Sequence, residues 1–63
     1  MAYQIRLVRE KRRMTQEELA KKAGISRATI STLENNPAAI TTTDTLKKVA
    51  HALSVSVNDI FLD

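Results

Sequence analysis

The stretch MTQEELAKKAGISRATISTLENN, residues 14–36, decides the fold. Thr15-Gln16-Glu17-Glu18 reads as a capping box: the Thr15 hydroxyl can accept from the Glu18 amide while Glu18 reaches back. Leu19, Ala20 and Ala23 then recur at helical spacing and give that helix a buried stripe. Gly24, the only glycine of the chain, fits the left-handed position after a helix end. Ser26 fits the N-cap of the next helix. Ile30 and Leu33 form its inner face, and Asn35-Asn36-Pro37 ends it. Helix, tight turn and helix fit an ordinary αα-hairpin or a helix-turn-helix. In either, Gly24 supplies positive φ and Ile25 fills the gap between the helices.

Working outward, helical periodicity continues almost throughout. A first helix is predicted from about Ala2 to Arg12, with Ile5, Val8 and Arg12 sharing one face. PAAITTT is a connector. A fourth helix begins near Thr42 or Thr43, with Asp44 in its first turn where the helix dipole favours a negative charge. Leu46, Val49, Ala50 and Leu53 make its apolar stripe. A short fifth helix begins at Ser56, with Asp59 three residues on as a shorter capping box and Ile60 and Phe61 as anchors. LSVSV alternates, but it is too brief to outweigh its helical flanks. The expected architecture is all-α, five short helices in one bundle spanning residues 1–63 as a single domain.

Composition narrows the function. A 63-residue chain is marginal alone and gains from disulfides, metals or oligomerisation. There is no cysteine and one histidine, which removes disulfides and the usual metal sets and leaves oligomerisation. No metal and no cofactor are expected. No apolar run suits a signal peptide or a membrane span, so a cytoplasmic protein is expected, with no membrane contact. Residues 1–34 carry eight Lys or Arg against four Asp or Glu, and residues 35–63 two against three. The basic half fits a solvated helix surface or a polyanion-binding face. Glu17 and Glu18 are adjacent and face different ways on a helix. No nucleophile–base set or phosphate-cradling glycine loop is present, and an enzyme is not expected. His51 reads as a structural histidine, the Thr41–Thr45 cluster as capping and connector, and Lys47 and Lys48 as solvated.

With these residues in place, the chain resembles the Cro/phage-repressor type of helix-turn-helix protein. The matching features are Thr15-Gln16, Leu19-Ala20, Gly24-Ile25-Ser26, Ile30, Leu33 and Glu34. TLKKVAHALSVSVNDIF, residues 45–61, resembles that family's fourth and fifth helices. The fold so implied is a five-helix, lambda-repressor-like DNA-binding domain, in which the second and third helices form the motif.

A recognition helix exposes short polar or basic side chains near its start while its other face packs. Arg27, Ala28, Ser31 and Thr32 project outward, and none is large and apolar. The resemblance implies base contacts from Arg27, Ala28 and Thr32. The Arg27 fork matches guanine O6 and N7, and Ala28 or Thr32 can meet a thymine methyl. It also implies that Gln16, at a helix start suited to anions, holds the DNA backbone. Thr15, Ser26, Thr29, Asn35 and Asn36 are further backbone candidates. Arg9 and Glu34 match the family's partly buried ion pair between its first and third helices. The family tends to dimerise through its C-terminal helix and nearby loop; Ile40, Val57, Ile60 and Phe61 are the candidates here, or they fill the monomer core.

Three turn positions where the family favours glycine hold Arg13, Asn36 and Ser54. Arg13 fits a phosphate contact or a different turn. The glycine retained at Gly24 implies that its two helices cross too closely for a side chain. The function expected is a DNA-binding transcriptional regulator, a repressor acting as a homodimer on a palindromic double-stranded operator. The alternative is an antitoxin-like or anti-repressor module whose partner is a protein, such as a toxin.

Overall fold

The computed structural model describes residues 2–36, 39 and 41–62, with the backbone alone at Ala2, Phe61 and Leu62. Its elements run β1 (Ala2–Tyr3), α1 (Ile5–Lys11), α2 (Gln16–Ala23), α3 (Arg27–Asn35), α4 (Thr43–Ala52), a 3₁₀ helix (Val57–Ile60) and β2 (Phe61–Leu62). The expected caps are formed. Thr15 accepts from Glu18 N at 3.0 Å while Thr15 N donates to the Glu18 carboxylate at 2.9 Å. Ser26 caps α3 through Thr29 N, and Thr42 caps α4 through Thr45 N.

Both ends of the chain depart from the expected all-α, five-helix arrangement. The first helix starts at Ile5 rather than Ala2, because Ala2 and Tyr3 are extended and pair antiparallel with Leu62 and Phe61. Gln4 continues this lacing: its amide donates to Ile60 O, and its side chain donates to Asp59 O at 2.6 Å. The fifth helix is a single 3₁₀ turn. Its start is held as expected, because the Asp59 carboxylate accepts from both the Ser56 amide and hydroxyl. Short pairs of this kind carry almost no periodic signal, and it is contact between distant ends that forms them.

Ile5, Leu19, Ile30, Val49, Leu53 and Ile60 are wholly withdrawn from solvent and centre the core. Val8, Ile25, Val55 and Val57 pack around them. Arg12 is exposed rather than part of the apolar face of α1, and its Nε donates to Leu53 O at the end of α4.

Three helices end in the same way. Met14 N donates to Arg9 O, Ile25 N to Ala20 O, and Val55 N to Ala50 O, at 3.0–3.1 Å. Each bond spans six residues and closes a Schellman turn, whose left-handed residue is Arg13, Gly24 or Ser54 (φ 55°, 73° and 60°). Arg13 and Ser54 thus adopt the left-handed conformation that the family's glycines imply at their positions, and Arg13 marks no different turn. Asn36 does not adopt it: its φ of −119° is extended, and among the described residues none at the end of α3 is left-handed. The steric reason expected for Gly24 also fails, since a Cβ there would meet nothing within 4 Å. Gly24 relieves backbone strain, not crowding.

Candidate nucleic-acid interface

The capping box starts α2 on the surface and the Gly24 turn starts α3 beside it, so two helix beginnings share one face. A shallow depression there is lined by Arg9, Met14, Thr15, Gln16, Glu17 and Arg27. A second depression runs along the other flank of α3, lined by Ala28, Thr29, Thr32, Leu33, Ala39, Thr41 and Thr45. Between them α3 presents Arg27, Ala28 and Thr32, all exposed. Ile30 and Leu33 on its other side are buried. Hydrogen bonding leaves Arg27 uncommitted among the described residues.

Other candidates are more engaged. Ser31 is half-buried, and its carbonyl and hydroxyl oxygens both accept from Asn35 Nδ2. Ser26 and Thr29 share a hydroxyl–hydroxyl bond of 2.8 Å. Thr15 is occupied by its cap. Arg13 is exposed at the turn after α1, and Asn36 at the end of α3. The dimer candidates separate. Ile60 is wholly buried in the monomer core, which removes it from any surface, and Val57 packs against that core. Ile40 lies outside the described residues, as does the Phe61 side chain.

Behind the exposed face lies a charged node. The Glu34 side chain is 0% exposed, and Arg9, 12% exposed, meets it with Nε at 2.7 Å and Nη2 at 3.0 Å. The third Arg9 nitrogen, Nη1, donates to Met14 O at 2.7 Å. The expected pair is therefore present and more buried than its exposed neighbours. Sequence reasoning missed two further members. Gln16 Nε2 donates to Glu34 Oε1 at 3.1 Å, and Arg6 Nε lies 3.3 Å from the same oxygen. Arg6 Nη2 also donates to Asn35 Oδ1. Arg6 and Arg9 stand three apart on one helix face, which was the available signal.

The node governs its own charge state. Burial pushes the Glu34 carboxyl upward, but hydrogen bonds from Arg9, Gln16 and Arg6 outweigh this and hold it below its ordinary value. The bond to Glu34 raises the Arg9 guanidinium. An ionised Glu34 can only accept, which fixes the Gln16 amide with its NH₂ toward α3.

Residues 5–60 match the model of the helix-turn-helix family. The chain belongs to that family. It is 47% identical over 57 residues to Antitoxin HipB of Escherichia coli K12, covering 90% of this chain and 64% of that protein. It is 40% identical over 52 residues to the HTH-type transcriptional repressor RghR of Bacillus subtilis, covering 82% of this chain and 38% of that one. It thus spans less than two thirds of these curated relatives. Among solved structures, SinR, a master regulator for biofilm formation crystallised in complex with DNA, superposes with a TM-score of 0.80. The two chains are 33% identical, with 86% of each covered. Among the described residues no helix is long and apolar enough to cross a membrane.

Proposed function

We propose that this helix-turn-helix chain is a cytoplasmic, sequence-specific DNA-binding transcriptional regulator, acting as a repressor, and that residues 1–63 work as one DNA-binding domain. The observation that carries this reading is the face of α3: exposed Arg27, Ala28 and Thr32 on a helix whose opposite side is buried. Such a helix can enter the major groove, where Arg27 reads guanine and Ala28 and Thr32 contact neighbouring bases. Gln16, with Thr15, Ser26, Thr29, Asn35, Asn36 and Arg13, would lie along the sugar–phosphate backbone and set the register. Ser31, half-buried, would contribute least to reading. One such helix covers few base pairs, so a homodimer on a palindromic operator supplies the missing specificity. Selection of bound duplexes from a random pool tests this. The expected result is a repeated, two-fold symmetric half-site containing guanine; no enrichment would reject the reading.

A second reading is favoured by the identity to a protein named an antitoxin: an antitoxin-like module with a protein partner such as a toxin. The two readings separate in a gel shift on mixed-sequence DNA at low salt. Retardation supports the regulator, and its absence supports the protein-interaction module.

A further inference from the structure

The charge balance of the node behind α3 is uneven. Glu34 brings one buried negative charge, and Arg6 and Arg9 bring two positive ones. Exposed Glu10 acts on Arg9 through solvent but makes no ion pair with either arginine among the described residues. Arg9 is largely withdrawn, and all three of its guanidinium nitrogens are engaged by Glu34 and Met14 O. Glu34 Oε1 already takes Arg9 at 3.0 Å and Gln16 at 3.1 Å, and Arg6 at 3.3 Å is its longest bond. The surplus charge therefore emerges at Arg6, whose side chain is 51% exposed. The hydrogen bonds of Arg6 use Nε and Nη2 and leave Nη1 without an acceptor among the described residues. Its head group shares an oxygen with Gln16, at the start of α2, and touches Asn35, at the end of α3.

We propose that Arg6 is a phosphate-binding residue of the DNA interface, holding the strand beside Gln16. This rests on the DNA-binding reading. A guanidinium fork with a free edge, held by a saturated carboxylate and exposed to solvent, suits a phosphate oxygen. A residue that only clamps α1 to α3 needs no uncompensated charge, and Arg9 already provides that clamp.

The test is the salt dependence of binding to a labelled mixed-sequence duplex, between about 50 and 200 mM KCl, where each phosphate contact contributes about 0.9 to the log–log slope. Arg6→Gln should flatten the slope by about 0.9. Lys21→Gln removes the same charge from the last turn of α2 and should flatten it less. Arg6→Lys should keep the wild-type slope. A slope for Arg6→Gln equal to that of wild type or Lys21→Gln overturns the assignment. So does an equal loss in Arg6→Lys and Arg6→Gln at unchanged melting temperature, which would mark a positioning role alone. Wild-type protein gives a readout independent of folding: bound duplex should protect Arg6 from a guanidinium-modifying dicarbonyl reagent, scored by mass spectrometry. Unprotected Arg6 in the complex rejects the contact. No salt-dependent binding by wild type rejects the DNA-binding reading itself, and the Arg6 assignment with it.

Discussion

The two ends of α3 are built differently. At its start, Arg27 and Ala28 are exposed, and among the described residues no hydrogen bond commits Arg27. At its end, Glu34 is sealed from solvent and Asn35 is bonded to Arg6 and Ser31. Charge and hydrogen bonds fix one end to α1 and α2, while the other is left open to a partner. The difference teaches how a small domain can present a firm reading surface. Ordering is completed within the fold at the far end, so little entropy remains to be lost where a ligand would bind.

The largest effect should come from breaking the fixed end. Glu34→Ala leaves Arg9, Arg6 and Gln16 without their shared acceptor, and Arg9 is mostly buried. A loss of about 3–5 kcal/mol of stability is expected, typical of a buried pair with one partner removed. A thermal melt checks it, and a wild-type melting temperature would show that the node does not hold α3. Any loss of DNA binding in this variant should track the loss of fold.

The open end should behave oppositely. Arg27→Ala should leave the melting temperature within the small range of surface changes. It should cost about 1–3 kcal/mol of discrimination at one base-pair position of the selected half-site. Binding measured on matched and substituted duplexes decides it. An equal loss on every sequence would make Arg27 a phosphate contact.

Legibility in the sequence followed the range of the interaction. The capping boxes and the stripes of α2, α3 and α4 depend on residues a few positions apart, and spacing exposes them, whereas the turns at Arg13 and Ser54 are marked only by the family's preference for glycine there. The β1–β2 pair joins opposite ends of the chain, and no local pattern marks it. The Arg9–Glu34 pair came through the family resemblance, yet Arg6 and Gln16 did not, because sequence cannot show how many donors reach one buried carboxylate. Ile60 was placed ambiguously for a related reason: an apolar residue near a terminus reads alike whether it fills the core or meets another chain. Gly24 was located correctly and its positive φ is as expected; only the close helix crossing expected there fails, since its turn has room for a side chain.

That room sets the next prediction, at the hinge before the open end. Gly24→Ala meets no steric obstacle, so its cost should be confined to left-handed strain, about 1–2 kcal/mol. Arg13→Gly should relieve similar strain, less the added freedom of the unfolded chain, for a net gain of under about 1 kcal/mol. Paired denaturant titrations check both. A much larger loss at Gly24 would restore close helix crossing as the reason for glycine there.

The smallest effect expected is the acid response of the fixed end. Glu34 titrates below its ordinary value of 4.5 when folded, so folding favours its deprotonated form. Its contribution to stability should be complete above the unfolded pKa and fade as pH falls from there through the lowered folded value. Glu18 and Asp59 are also lowered, by their bonds to Thr15 and Ser56, and act in the same window. Wild type alone therefore cannot assign the slope. Glu34→Gln removes one titration and spares the two caps, so its melting temperature should fall less steeply with acid than that of wild type. Parallel acid slopes in the two proteins would mean that Glu34 draws no net stabilisation from Arg6, Arg9 and Gln16 as an ion. The clamp at that end of α3 would then be packing rather than charge.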